Sequence, residues 1–449
     1  MTAKLHVRDR IALLLDEGSF VEDGRSSQVP AGEPPADGVV TGRGAVDGRP
    51  VIVVADDPTA TAGSRGARAV EKIVRATESA LRDELPVFWF VDSADAPVPD
   101  RASVRPGRRD AGRILHNQVA LSGTVPQICC LFGPAAAGGA HLPSFTDVLI
   151  MVEGNASMYL GGPRMAEIIV GERVSLEELG GARMHCTVSG VGDLLAQDDA
   201  EAIELARLCF SYLPSTWREQ PPSYLGEAPT APLTDATVPE SESRPFDIHL
   251  VIDGLVDDES FFELKPLFAP ELVTGLGRMD GRTVGIVANN SVAGGGVLHS
   301  DSAGKAARFV GICDAYSIPL IHLTDVPGFM IGSEAERGGI IRHGARMMAA
   351  VAEATVPQFC VVVRRAYDAG LHAMCGPALE PEATLALPTA RIAVTAPDAD
   401  VDLERLASEL VVDGVVQAPD LRAELLRRLA YAARRDRRRG ERRRAIQPV

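Results

Sequence analysis

The sequence predicts an α/β protein built as a tandem duplication, two comparable domains joined by a linker. Two internal repeats and one shift in composition carry that prediction. The decapeptide VTGRGAVDGR at 40–49 returns as VTGLGRMDGR at 273–282, a shared V-T-G-x-G-x-x-D-G-R pattern 233 residues apart. TVPQICCLF at 124–132 returns as TVPQFCVVV at 355–363, 231 residues apart. Two collinear matches at nearly one spacing mark an internal duplication. Between the copies, residues 224–245 (YLGEAPTAPLTDATVPESESRP) are dense in Pro, Ser, Thr and acidic residues, the composition of a linker. The domains are therefore expected at 1–223 and 246–449, in keeping with a 449-residue chain too long for one ordinary core.

Taken in order, the chain opens with Val7, Ile11, Leu14 and Leu15 at helical spacing and Gly18 as a stop, which reads as a docking helix. QVPAGEPPADG, at 28–38, is loop. Each decapeptide leads into an apolar run, VIVVA or VGIVA, which reads as a strand. Helices are expected at Ala67–Arg82 and Lys305–Tyr316, and such alternation implies parallel strands with crossover helices. Leu323–Met374 compresses the pattern: an apolar strand end, a Gly-rich loop, an amphipathic helix, a second strand, and a small-residue loop entering a helix.

Composition excludes several classes of function. A formal charge of −16 argues against general nucleic-acid binding, with the basic stretch RRLAYAARRDRRRGERRR near the C-terminus as a local exception. No apolar run reaches the roughly 20 residues of a membrane span, and the charged first residues do not resemble a secretory signal, so a cytoplasmic protein is expected. The seven cysteines are scattered, several inside apolar runs, so core thiols are expected rather than a disulfide framework or a metal site.

The chemistry points to main-chain atoms. In each half a strand is followed by a small-residue loop and then a helix, at GPAAAGGAHLP (133–143) and RRAYDAGLHAM (364–374). Only Gly or Ala lets a substrate carbonyl approach the backbone closely, and N–H groups at a helix start can hold a developing negative charge. The other reading is that these glycines simply permit tight strand–helix packing. A third Gly-rich loop, at 289–309, lacks the order of a phosphate-binding P-loop, and no dinucleotide fingerprint is present. Arg65, Arg68, Lys72, Lys305 and Arg308 could meet phosphates or simply solvate helix faces. There is no GxSxG, no HExxH and no local cysteine-nucleophile signature. His343 suits a cap or packing role. His141 and His372 each follow their loop at the same place in the repeat, and remain open between structural and functional roles.

RDRIALLLDEGSFVE, DGVVTGRGAVDGRPV, LGGARMHCTVSGV, FFELKPLFAPELVTGLGRMDGRTVGIVAN, DSAGKAARFVGICDAYSIPLIHLTDVPGF and GGIIRHGARMMAAVAEATVP together resemble the carboxyltransferase (β) subunit of biotin-dependent acyl-CoA carboxylases, such as propionyl-CoA and 3-methylcrotonyl-CoA carboxylase. The resemblance covers nearly the whole chain. It implies a tandem pair of crotonase-like domains, and transfer of a carboxyl group from carboxybiotin to the α-carbon of an acyl-CoA thioester. The N-terminal domain would hold the acyl-CoA. The C-terminal domain of a neighbouring subunit would hold biotin, carried on a biotin carboxylase or biotin carboxyl carrier partner. Hexamers of β subunits are the family's usual assembly. Carboxybiotin would release CO2, leaving a basic nitrogen to abstract the α-proton, while backbone N–H groups hold both anionic oxygens.

Position by position, Gly138 and Gly139 match the thioester-side pair, flanked by Ala137, Ala140 and His141. Ala369 and Gly370 match the biotin-side pair, and His372 falls where the family sets acyl preference. There are three departures. Asp368 stands where the family has Gly, a side chain disfavouring left-handed backbone and a charge opposing an anion hole. The CoA-framing DSGGARIQEG becomes DSADAPVPDRASVRPGRRDAGRIL at 92–115. After RIAVTAPDAD (391–400) most of a helical segment is absent before LVVDGVVQAPDLRAELLRRL. These keep two alternatives open: a biotin-independent decarboxylase of a malonyl-type thioester, or a non-catalytic subunit of a carboxylase assembly.

Overall fold

The computed structural model describes residues 4–24, 38–59, 66–93, 107–393, 402–432 and Ile446. Arg65, most of the altered 92–115 stretch (94–106), the point of departure at 394–401 and the basic residues 433–445 lie outside the described residues. The chain forms two compact units, Met1–Glu219 with Arg443–Val449, and Gln220–Arg442.

Unit 1 carries β1 (Val21–Asp23), β2 (Val39–Val46), β3 (Arg49–Asp56), β4 (Val87–Val91), β5 (Gln127–Leu131), β6 (Pro134–Ala136), β7 (Val148–Val152), β8 (Ser157–Tyr159) and β9 (Leu194–Ala196). Seven of them form one sheet in the order β1-β2-β3-β4-β5-β7-β9, while β6 and β8 pair separately. Unit 2 repeats the plan with β10 (Phe262–Leu264), β11 (Leu272–Met279), β12 (Arg282–Asn289), β13 (Leu320–Val326), β14 (Gln358–Tyr367), β15 (Ala383–Ala386), β16 (Arg391–Ala393) and β17 (Gly414–Val415). Its sheet runs β10-β11-β12-β13-β14-β15-β17, with β16 paired to β14.

The expected parallel strands are present from β3 to β9 and from β12 to β17. The repeated decapeptides depart from that expectation, because they are antiparallel hairpins, β2–β3 and β11–β12. The reason is the Asp-Gly pair at the end of each. Asp47 and Gly48 take φ of 50° and 75°, Asp280 and Gly281 take 53° and 73°, the two left-handed residues that a tight hairpin requires. In each unit a carboxylate grips the turn. Asp16 accepts the N–H groups of Asp47 and Gly48 at 3.0 and 2.8 Å; Asp257 accepts those of Asp280 and Gly281 at 2.9 and 2.7 Å.

The central strands are buried on both faces, which explains their unbroken apolar runs. All seven cysteines are buried and free, as core thiols. The first helix spans Val7–Leu14 and buries Val7, Ile11 and Leu14. The helix expected at Ala67–Arg82 runs Ala67–Asp83. That expected at Lys305–Tyr316 starts earlier, at Ser300–Ala315, because the Ser302 hydroxyl accepts the His299 N–H at 2.7 Å and closes an extra turn.

Residues 224–245 are irregular but do not form a free tether. Leu233 and Val238 are buried in the core of unit 2, the Tyr224 N–H donates to the Gly281 carbonyl at 2.9 Å, and the Ser241 and Arg244 carbonyls accept from Arg364 at 2.9 and 2.7 Å. A polar composition predicts a linker; two apolar anchors and a buried guanidinium attach the segment to the domain instead.

Candidate functional site

In unit 1, β5 passes through Phe132 and Gly133 into β6, which pairs in parallel with β8, and the chain then turns into a 3-10 turn at Ala137–Ala140 and a short helix at His141–Ser144. The strand β6 is pinned at its start, where the Ser93 hydroxyl donates to the Pro134 carbonyl at 2.9 Å. Ala137 begins the turn with a left-handed φ of 50°. Ala137 and Gly138 are exposed, Gly139 is half-buried, Ala140 is buried and His141 is exposed.

The glycines here answer the question that the sequence leaves open. A Cβ built on Gly138 or Gly139 would meet no atom within 4 Å, and neither residue has a positive φ. Neither packing nor backbone geometry therefore requires glycine. Gly133 is different: a Cβ there would lie 2.0 Å from Asp92 Oδ1. The Asp92 carboxylate occupies that space and is paired with Lys4 Nζ at 2.7 Å and Arg10 Nη1 at 2.9 Å.

In unit 2, β14 runs directly into the helix Asp368–Ala373. Asp368 is exposed, and its φ of 51° shows that the side chain does not prevent the left-handed backbone; Asp is one of the residues that tolerates it. Ala369 is half-buried and Gly370 is buried. Gly370 is tightly packed, since a Cβ would sit 2.9 and 3.0 Å from the Val326 methyls and 3.1 Å from Gly328 Cα. His372 is half-buried, and its Nδ1 is buried with no hydrogen-bond partner among the described residues. Tyr367, just before the loop, is pushed up to about 12 by burial and by its hydrogen bond with the Glu242 carboxylate, so it stays a protonated donor. The segment after Gly328 continues into Met330–Gly332, which with His299, Ser300 and Ile340 line a cavity of about 480 Å³.

Under this loop lies a cluster that the sequence did not single out. Asp325, at the end of β13, is wholly buried and pairs with both Arg364 and Arg365, each at 2.7 Å. Burial pushes its carboxyl up, and the two guanidiniums outweigh that and hold it below the usual carboxylate range. The signal for it was in the repeat, where Asp92 and Asp325 end equivalent strands. Even their backbone support is shared: the Asp92 N–H donates to Asp56 and the Asp325 N–H to Asn289, both at 3.3 Å.

Of the basic residues considered for phosphates, Lys305, Arg308 and Lys72 are placed within the fold. Lys305 is buried, and its ammonium donates to the carbonyls of Lys265, Phe268 and Ala269 at 2.9, 2.8 and 3.3 Å. Burial lowers it to about 8. It is neither a phosphate ligand nor a solvated helix face. Arg308 is buried, and Lys72 donates to the Val39 carbonyl at 2.6 Å. His343 is half-buried in the first turn of the helix Ile340–Glu353, with its Nε2 3.3 Å from Arg342 Nη2.

Each candidate group is thus gathered by its own loop, Ala137–His141 in unit 1 and Asp368–His372 in unit 2. Among the described residues no helix is long and apolar enough to cross a membrane. Residues 2–404 match the model of the carboxyl transferase domain. The chain is 51% identical to an uncharacterized carboxylase of Bacillus subtilis, covering 95% of this chain and 90% of that protein. It is 40% identical to the biotin-dependent acetyl-/propionyl-coenzyme A carboxylase beta5 subunit of Mycobacterium tuberculosis, over 87% of this chain and 74% of the relative. Among solved structures, transcarboxylase 12S, described as a hexamer with hydrolysed methylmalonyl-coenzyme A bound, superposes with a TM-score of 0.90 at 35% identity, covering 99% of this chain and 93% of its own. The chain belongs to the carboxyl transferase family, with that family's two-domain, crotonase-like fold.

Proposed function

We propose that this protein transfers a carboxyl group from carboxybiotin, carried by a biotin carboxylase or carrier partner, to the α-carbon of an acyl-CoA thioester. The observation that carries the site assignment is the open space beside Gly138 and Gly139, glycines that the fold itself does not need. Their N–H groups are offered to the thioester oxygen, where negative charge develops as the α-proton leaves. An enolate oxygen held by preset main-chain donors is stabilised without a side-chain nucleophile, and losing one such donor typically costs about 10²–10³ in rate. Ala137, Ala140 and His141 frame this acyl-CoA side.

Unit 2 is the biotin side. Carboxybiotin supplies the activated carboxyl group; the chain supplies the Ala369 and Gly370 N–H groups toward the ureido oxygen, with Asp368 and His372 flanking them. The cavity of about 480 Å³ beside Met330–Gly332 lies in the range of small-molecule sites. Asp368 projects into solvent, where its charge is screened, so it opposes anion binding only weakly. Assembly as a homo-oligomer, as in the hexameric 12S relative, and a cytoplasmic location complete this reading; the seven free cysteines support a reducing compartment.

The test is purified protein given a panel of acyl-CoAs and malonyl-type CoAs, with and without a carboxybiotinylated partner. Partner-dependent carboxylation is the expected result. CO2 release from a malonyl thioester without partner would identify a decarboxylase instead, and silence in both with partner binding a non-catalytic subunit.

A further inference from the structure

We propose that Arg365 is a positioning residue that sets the Gly294–Gly296 loop beside the unit 2 cavity through Asp325 and the Gly295 carbonyl, a role that rests on the reading of unit 2 as the biotin side given above. Arg365 donates from Nε to Asp325 Oδ1 at 2.7 Å and from Nη2 to Asp325 Oδ2 at 3.2 Å, and its own N–H reaches Oδ1 at 3.2 Å. The same Nη2 donates to the Gly295 carbonyl at 2.8 Å. One guanidinium therefore ties together the ends of three neighbouring strands. Gly294–Gly296 lie in the loop after β12, Asp325 is the penultimate residue of β13, and Arg365 lies on β14 three residues before Asp368.

The loop it holds has little freedom of its own. Gly294, Gly295 and Gly296 all take left-handed φ, 54°, 72° and 76°, and a Cβ on Gly296 would lie 2.9 Å from the Asp325 carbonyl oxygen. The chain then reaches Leu298, whose N–H donates to Gly328 at 3.0 Å and whose carbonyl accepts from Met330 at 2.8 Å. His299 and Met330, on either side of that ladder, both line the cavity. Moving Gly295 moves the cavity wall.

Arg364 does a different job beside it. Its remaining donors go to the Ser241 and Arg244 carbonyls and, at 3.2 Å, to Ser291 Oγ, which fastens the 224–245 segment to the fold. Removing the Arg365 guanidinium therefore takes two donors from the buried Asp325 carboxylate but leaves it paired with Arg364 at 2.7 and 3.2 Å, whereas the Gly295 carbonyl loses its contact to this cluster. Unit 1 lacks this arrangement. The repeat puts Gly133 where unit 2 has Arg364 and Pro134 where it has Arg365, and the cations on Asp92 come from Lys4 and Arg10.

The experiment compares Arg365→Met and Arg365→Lys in the full chain, with the carboxybiotinylated partner as donor. Misplacing reacting groups by about 1 Å can cost about 10²-fold. Arg365→Met is expected to lower kcat/KM for the donor by about 10- to 100-fold and to leave the KM for acyl-CoA within about twofold. Arg365→Lys, which keeps a donor for one of the two acceptors, recovers part of the loss. A donor kcat/KM within about twofold of wild type in Arg365→Met overturns the proposal. So does a parallel shift of donor KM, acyl-CoA KM and unfolding midpoint without rescue by lysine. Wild-type protein silent in this assay overturns the carboxyltransferase reading alone, because hydrogen exchange, which needs no activity, still decides about Arg365. Faster exchange confined to Gly294–Met330 in Arg365→Met supports the positioning role, and unchanged exchange there overturns it.

Discussion

Ala137 and Asp368, 231 residues apart, hold the same left-handed backbone at the same step of the duplicated fold, with φ of 50° and 51°. A residue with a Cβ gives up about 1–2 kcal/mol in that conformation. The kink recurs with two unlike side chains, so it belongs to the strand-to-helix turn rather than to either residue.

Asp368→Gly follows from this. Glycine relieves the left-handed strain and removes an exposed carboxylate, while its greater freedom in the unfolded chain costs about 0.5–1 kcal/mol. Stability is expected to stay within about 1 kcal/mol, and carboxyl transfer to be preserved or raised. Steady-state kinetics with a carboxybiotinylated donor check it; a tenfold loss would show that the carboxylate itself serves the reaction.

Gly138 and Gly139 should behave unlike Gly370. Gly138→Ala and Gly139→Ala add a methyl where there is space, so urea unfolding is expected to shift by less than about 1 kcal/mol. Acyl-CoA carboxylation should fall by about 10²-fold, since the methyl crowds the approach to the N–H donors. Gly370→Ala meets Val326 and is expected to cost about 1–3 kcal/mol of stability. An early-melting but fully active Gly139→Ala protein would remove that loop from the site.

Stability should depend on pH through His249. Its Nε2 lies 3.0 Å from Glu263 and its Nδ1 2.6 Å from Asp247, with Asp253 further along its helix. The Glu263 hydrogen bond raises it, burial opposes, and Asp247 adds, to about 9. A folded value above the unfolded value of about 6.5 means stabilisation complete below pH 6.5 and lost as pH rises through 9. Urea melts between pH 6 and 9.5 should show the stability gap between wild type and His249→Asn closing across that window. A gap constant with pH would contradict it.

Leu233→Ala tests whether 224–245 is part of unit 2. Leu233 is 4% exposed inside the unit 2 core, so truncation is expected to cost about 2–5 kcal/mol. Denaturation with limited proteolysis reads this directly; an unchanged midpoint would mean that the segment is a tether after all.

The sequence by itself determined the duplication, the main strands and the two small-residue loops. Those features are local: an Asp-Gly pair sets its own hairpin, an apolar run long enough for a strand announces itself, and glycines two or three residues past a strand end mark a turn. The tertiary structure decided the rest, because it depends on partners far apart in the chain. Asp325 meets Arg365 across 40 residues and Arg365 meets Gly295 across 70, spacings that no local pattern records. Lys305 stayed open between a phosphate contact and a solvated helix face because helical periodicity cannot see the three carbonyls that satisfy it. The 224–245 segment looked free because composition averages over the two apolar side chains that fasten it. Gly139 and Gly370 looked alike for the same reason: only the surrounding atoms tell a glycine that leaves space open from one that is packed against its neighbours.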